Sequence, residues 1–406
     1  MTPLAVTDFT LVTALGAGRA ATLAALQAGR SGLARQDFET ARIDGWLGVV
    51  AEADAVALEP ALAAYDCRNN RLAELGLRAD GFGDAARHAA ARWGAARVGV
   101  FLGTSTSGIL QTEQAYRRRD PATGALPAGL HYASTHNTYS VAGYVRAALG
   151  LRGPAAVVST ACSSSAKVYA MAARMIGLGL VDAAVVGGVD SLCMTTLYGF
   201  KSLELLSPEV CRPWDARRAG LSLGEGAAFA LLEREPRQVA AWLRGTGESS
   251  DGHHMSSPHP EGAGAAAAMR AALDSAGLQP ADVDYLNLHG TGTPGNDAAE
   301  DRAVCSVFGT GLPCSSTKGA TGHTLGAAGG VEAAIAMLAL QHGHAPAGLH
   351  LEAPDPALRA RYLRVPLARP LRIVASNSFG FGGSNACLVF GTAAGVRRAA
   401  PKRSSR

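Results

Sequence analysis

Short apolar runs rich in β-branched residues alternate with alanine-rich stretches along most of this chain, and that alternation limits the fold more than any single residue does. Segments 97–103, 155–159 and 183–187 read as strands, and their nearly unbroken apolar character suits a sheet covered on both faces. Between the last two, 163–180 is rich in Ala, Met and Ile and closes near Gly177 and Gly179, which suits a buried helix. Strand, helix, strand is the unit that a parallel crossover requires. The second half repeats this alternation, with a helix over 265–276, a strand over 283–288 that delivers His289, a short strand over 313–316 that delivers Lys318, and a helix over 329–340. A terminal strand pair, 373–376 and 386–391, flanks a glycine-rich turn. The expected fold is a layered α/β protein of two similar halves joined near 233–239, with no short-period repeat and a basic, frayed tail over 394–406.

Composition narrows the function. With 406 residues, 48% hydrophobic and 17% charged, the chain can bury a large core, and 49 Gly with 19 Pro imply many tight turns. The net charge of +4 is modest and the basic residues are scattered as well as clustered, so no nucleic-acid partner is expected, although basic patches could receive an acidic protein. The seven cysteines form no CxxC pair and no zinc-type spacing with His, so reduced thiols in a cytoplasmic protein and no bound metal are expected. No basic segment follows Met1 and no apolar run is long enough to span a bilayer, which argues against an export signal and a membrane span.

Four segments carry chemistry. In TACSSSA (160–166) the thiol of Cys162 sits where a strand meets a helix, and a helix N-terminus favours the nucleophilic thiolate; a small buried packing residue is the equal alternative. In HGTGTP (289–294) a His leaves an apolar strand for a loop whose Thr291 and Thr293 offer hydroxyls to a ligand, or simply cap turns. KGATGHTLGAAG (318–329) places Lys318 and His323 on either side of a small-residue turn; Lys318 could face a site or lie along the surface, and no GxxxxGK[ST] phosphate loop is present. In NSFGFGGSN (377–385) glycines let the backbone turn sharply and expose an amide, with Phe379 and Phe381 as a gate or as core residues of a hairpin.

Taken in order and spacing, these four motifs resemble the β-ketoacyl-acyl carrier protein synthases, condensing enzymes of thiolase-like fold, over nearly the whole chain. CRPWDARR (211–218) and GEGA (224–227) resemble further family segments. The resemblance implies two αβαβα-layered halves, 1–235 carrying the nucleophile and 236–393 carrying both His and the Lys. It implies an acyl group on Cys162, an oxyanion hole from the amides of Cys162 and Phe381, and two donors, His289 and His323, for the enolate formed when malonyl-carrier protein loses CO2. Lys318, paired with a structural Glu332, would supply positive potential; Thr291 and Thr293 would bind the pantetheine arm, and Phe379 and Phe381 would gate it. No cofactor of the enzyme's own is implied, since phosphopantetheine arrives on the carrier protein.

Acyl carrier protein and a second related subunit, identical or not, are the implied partners. Arg68, Arg71, Arg117, Arg118 and Arg119 are candidate docking residues for the acidic carrier, and each could equally be a solvated charge. The sequence 187–200, together with 134–140 and 251–262, is similar to synthases of aryl polyene pathways. Cys387 sits in a strand-like setting that favours packing over a thiolase's second cysteine, and His323 counts against the starter-unit type. Cys162 counts against a non-catalytic subunit that only shapes a partner's pocket. His136 has either a place near the acyl pocket and dimer interface or a structural hydrogen bond.

Overall fold

The computed structural model describes residues 1–236 and 238–392; the expected basic tail over 394–406 lies outside the described residues. Two sets of five strands carry the architecture. The first comprises β1 (Leu4–Thr13), β2 (Val98–Gly103), β3 (Ala155–Val158), β4 (Ala183–Asp190) and β5 (Gly226–Glu233). The second comprises β6 (Ala241–Ser250), β7 (Tyr285–Asn287), β8 (Cys314–Ser315), β9 (Ile373–Gly380) and β10 (Ser384–Gly391). In space the first set runs β3-β2-β4-β5-β1 and the second β8-β7-β9-β10-β6, so both follow one order. Strand directions repeat too: β3, β2 and β4 are mutually parallel, as are β8, β7 and β9, and the remaining neighbours are antiparallel. β1 pairs with β6, Leu4 opposite Leu243, and joins the two sets edge to edge.

Side-chain alternation builds the layers. From β5, Ala228, Ala230 and Leu232 point into a central core, while Ala227, Phe229 and Leu231 point to an outer one. From β10, Ala386, Leu388 and Phe390 enter the same central core, and Cys387 and Val389 face the outer core of the second half. The outer layers are α1 (Arg68–Arg78) and α2 (Ser140–Ala148) on one side and α4 (Ala263–Ala276) and α5 (Pro294–Phe308) on the other. α3 (Ser164–Gly177) and α6 (Ala328–His342) form the middle layer. Residues 328–340 of α6 are buried around the whole circumference, which its uninterrupted small and apolar sequence permits. The two central helices meet closely at Gly329, where a Cβ would lie 2.7 Å from the Ala166 nitrogen. That contact draws the loops preceding the two helices together.

The strands extend beyond several of the expected limits. β4 continues to Asp190 and β9 to Gly380, while β7 is shorter than 283–288. β6 has no strand-like signature because glycines replace its large side chains: a Cβ on Gly245 would lie 2.3 Å from the Ala272 carbonyl oxygen, and one on Gly247 2.0 Å from that of Ala268. Helix α4 packs directly on bare backbone there. Cys387, fully enclosed by apolar neighbours, is a packing residue, in keeping with its sequence setting.

Candidate active site

The carboxyl ends of β3, β7, β8 and β9 open toward one cleft, the usual place for ligands in parallel sheets. After β3 the chain turns through Ala161, whose φ of 52° is left-handed, presents Cys162, and enters α3 at Ser164. Gly380, at the end of β9, lies against this turn; a Cβ there would sit 2.4 Å from the Thr160 carbonyl oxygen and 3.2 Å from the Cys162 nitrogen. Only glycine brings the 380–383 turn this near the thiol. Cys162 is 4% exposed, and its Sγ lies 3.0 Å from Nε2 of His323. Burial pushes the thiol up to about 12, with Lys318 pulling it down and Asp190 and Glu332 adding to the rise. The resting sulfur therefore holds its proton, and the first-turn amides of α3 favour the anion as that proton moves to the neighbouring ring.

Lys318 is 1% exposed, which removes the surface alternative. Its ammonium donates to the His289 carbonyl oxygen at 2.5 Å, lies 3.3 Å from His289 Nδ1 and pairs with Glu332. Three acceptors match its three protons. An ammonium facing Nδ1 makes that nitrogen the acceptor, so the His289 proton resides on Nε2. Burial holds both rings well below 6.5; Lys318 adds to the effect in each, and His323 adds to it in His289. Both are neutral at pH 7. Burial pushes Glu332 up to about 7 against the pull of Lys318.

The ring centroids of His289 and His323 are 5.3 Å apart at 83°, and donor atoms of these two rings and Cys162 lie within 4.8 Å of one another. A thiol and two imidazoles can hold zinc, but His289 is backed by the Lys318 ammonium at Nδ1, where a zinc-bound imidazole donates to a carbonyl or carboxylate, and this does not fit that role.

Glu300 and Asp297, on one face of α5, hold the 289–293 loop and were not singled out from sequence. Glu300 accepts from the amides of His289 (2.9 Å) and Gly290 (2.7 Å) and from Asn377 Nδ2 (3.1 Å). Asp297 accepts from the amides of Gly292 and Trp214, each at 3.1 Å. Their three-residue spacing directly after the HGTGT motif was the available signal. Burial raises Glu300 to about 7 and Asp297 to about 6, against their hydrogen bonds.

The cleft brings Cys162, His289, His323, Thr291, Thr293, Phe379 and Phe381 to one wall-lined space. The hydroxyls of Thr291 and Thr293 are 2.9 Å apart. Phe379 packs 5.6 Å from His289, and Phe381 stacks on Phe200 at 5.5 Å, a cleft residue that the sequence did not point to. The 380–383 turn passes through Gly382 and Gly383 at φ 80° and 75° and is tied to segment 251–255. There Asp251 N donates to Gly383 O at 2.8 Å and Gly382 N to Met255 O at 2.7 Å.

The structure overturns one docking expectation. Arg68 is 4% exposed and spends its guanidinium on Glu225 at 2.6 and 2.9 Å, on the Val50 carbonyl at 3.1 Å and on Asp54, so it cannot offer its charge to a carrier protein. Arg71 pairs with Asp66 at 2.6 and 2.7 Å, while Arg117, Arg118 and Arg119 are exposed. His136 stacks on Tyr132 and holds the Thr112 hydroxyl at 2.8 Å from Nδ1.

A duplicated five-layer fold with a thiol and two imidazoles between its halves has the form of a thiolase-like condensing enzyme. Residues 78–238 match the β-ketoacyl synthase N-terminal domain and 240–352 the C-terminal domain. The chain belongs to the β-ketoacyl synthase family, whose condensation reaction elongates fatty acids or polyketides. It is 42% identical to the mitochondrial 3-oxoacyl-[acyl-carrier-protein] synthase of Arabidopsis thaliana over 61% of this chain and 58% of that protein. It is 37% identical to 3-oxoacyl-[acyl-carrier-protein] synthase 2 of Coxiella burnetii over 73% of this chain and 75% of that protein. A solved ketosynthase, ApeO of Xenorhabdus doucetiae in complex with its chain length factor ApeC, superposes with a TM-score of 0.88 at 37% identity, covering 96% and 98% of the two chains. No helix among the described residues is long and apolar enough to cross a membrane.

Proposed function

We propose that this protein uses Cys162 to carry an acyl chain and His289 and His323 to condense it with malonyl-carrier protein. The observation that carries the reading is the 3.0 Å contact between the Cys162 sulfur and His323, with His289 beside it and its Nδ1 3.3 Å from the Lys318 ammonium. In the first half-reaction the sulfur attacks the thioester of the acyl-carrier protein as His323 takes its proton. The amides of Cys162 and Phe381 hold the tetrahedral oxyanion, and the pantetheine sulfur leaves with that proton. Once the sulfur is acylated, the neutral His323 ring is free to carry its remaining proton on Nε2. Malonyl-carrier protein then loses CO2, and both rings donate to the enolate oxygen. The enolate carbon attacks the acyl carbonyl, and the Cys162 thiolate departs and takes up one proton from solvent, the one proton the overall condensation consumes. Lys318 and Glu332 fix His289, and Thr291 and Thr293 hold the pantetheine arm.

In this reading the halves divide at 235/236, and no cofactor is needed beyond the arm that the carrier brings. The setting is the cytoplasm. Pairing with a second subunit of the same fold is supported by β3, an edge strand of Ala-Ala-Val-Val left half-exposed. The likeness to ApeO over 96% of the chain supports an aryl polyene pathway and a chain-length-factor partner, with a homodimer as the other arrangement. Exposed Arg117 and Arg119, around a hollow with Tyr116 and Pro121, are the docking residues for an acidic carrier.

Intact-mass measurement after incubation with an acyl-carrier protein tests the reading. An adduct is expected on the wild type and absent from Cys162→Ala; no adduct, or one that survives the substitution, refutes it.

A further inference from the structure

We infer that Asp190 is a positioning residue for the condensation, a buried carboxylate that fixes the His323 loop of the second half against the first half, which carries the thiol. The side chain ends β4 and is fully buried. One oxygen accepts from Thr104 Oγ1 at 2.5 Å, Ser105 N at 2.8 Å, Thr106 N at 2.9 Å and Thr106 Oγ1 at 2.8 Å. The other accepts from Ser105 Oγ at 2.5 Å, Ser105 N at 3.0 Å and Gly326 N at 2.5 Å. Charge-assisted bonds of this kind are the strong ones, and a buried carboxylate needs them all.

Gly326 belongs to the loop that carries His323. A Cβ on it would lie 2.6 Å from the Asp190 carboxylate, so glycine is what lets its amide reach. Just before it, Leu325 has a φ of 52°, a left-handed conformation that persists only where surroundings impose it. The opposite side of the loop is held by His323 N donating to Ser222 O at 2.8 Å and by Gly224 N donating to His323 O at 3.0 Å. The ring is thus set between two walls of the thiol's half, segment 222–224 on one side and Asp190 on the other. The loop after β2 is secured in turn by Ser107 Oγ, which shares its proton between the carbonyls of Thr135 (2.9 Å) and Asn137 (3.0 Å). This inference rests on the condensation reading for the step that the positioning serves.

Asp190→Asn keeps the shape, removes the charge and turns an amide toward N–H donors. Two half-reactions are to be followed: acyl transfer to Cys162, and condensation of the pre-acylated protein with malonyl-carrier protein. Condensation should fall roughly 10- to 100-fold; acylation uses the same ring only as a base, beside a thiol lowered by loss of the Asp190 charge, and should fall several-fold less. Because the Asp190 charge pushes the Cys162 thiol upward, alkylation of Cys162 by iodoacetamide should shift to lower pH in the variant with amide hydrogen exchange across α3 unchanged, whereas general loosening would lower the thiol by exposing it and would speed that exchange. Thr104→Val, which removes one donor and keeps the charge, should give a smaller condensation-selective loss with the alkylation profile unmoved; it serves if Asp190→Asn does not fold. Condensation within twofold of wild type in a folded variant, or equal losses in both half-reactions, would overturn the inference. If wild-type Cys162 takes no acyl group, the condensation reading falls instead, and an unmoved alkylation profile in Asp190→Asn would then overturn the role given to Asp190.

Discussion

Replacing Lys318 by Met removes an ammonium that serves three acceptors at once, and its consequences differ for folding, acylation and condensation. Glu332 is left buried without its cation. Burial already pushes it up to about 7 against the pull of Lys318, so without that pull it is protonated at neutral pH and the folded protein avoids an unpaired buried charge. The remaining cost is lost hydrogen bonds to a buried carboxyl and to the His289 carbonyl, about 3 kcal/mol at the low end of what breaking a buried pair costs. Adding Glu332→Leu should recover much of that stability and none of the activity. For chemistry, His289 loses the group that keeps its proton on Nε2, and the enolate loses an oriented donor. Loss of one such donor slows reactions by roughly 10²–10³, the fall expected in condensation of the acylated protein. Acylation should fall less, because Lys318 acts on the thiol only as a lowering influence against the larger effect of burial. Rapid-quench mass spectrometry of the two half-reactions separates the cases. Condensation within about threefold of wild type, or acylation falling as far as condensation, would refute the assignment of Lys318 to the His289 proton.

Because burial and Lys318 hold both imidazoles well below 6.5, condensation by pre-acylated protein should be flat from pH 6.5 to 8, and an acid limb with a midpoint at or above 6.5 would count against neutral donors. The same depressed values mean that histidine-linked stability is present above the unfolded value of 6.5 and is lost as pH falls below it, while Glu300, raised from 4.5 to about 7, contributes stability that is lost as pH rises through about 7. Thermal melting in Glu300→Gln should accordingly show a weaker decline between those pH values than the wild type. Gly380→Ala places a Cβ 2.4 Å from the Thr160 carbonyl oxygen, so the 380–383 turn must move off the thiol and acylation should drop at least tenfold, measured as adduct formation rate. Arg68→Glu should destabilise the fold by about 3 kcal/mol or more, since two carboxylates would then face each other in the interior, whereas Arg119→Glu should leave melting unchanged and slow acyl transfer from carrier protein but not from a small thioester.

Much of this protein was legible from its sequence, and the limits have physical causes. Strands of unbroken β-branched and apolar residues, such as Val98–Gly103, announce burial on both faces and with it a layered α/β fold. A strand such as Ala241–Ser250 does not, because its glycines exist to admit the helix over Ala263–Ala276, and a strand's own residues do not show what will pack on them. The motifs pointed to Cys162, His289, Lys318 and His323 as candidates, since thiols, imidazoles and amines keep their chemistry wherever they are placed. What sequence could not decide was their electrostatic state. Burial, not the helix terminus, governs the resting thiol; the ammonium beside Nδ1 decides which nitrogen of His289 is protonated; and Arg68, a docking candidate by composition, is an internal ion-pair partner of Glu225. Residue type fixes which reactions a side chain can undergo. Which of them it is poised for depends on distance and solvent access, and only the tertiary structure sets those, here by bringing the loops of two duplicated halves within hydrogen-bond reach.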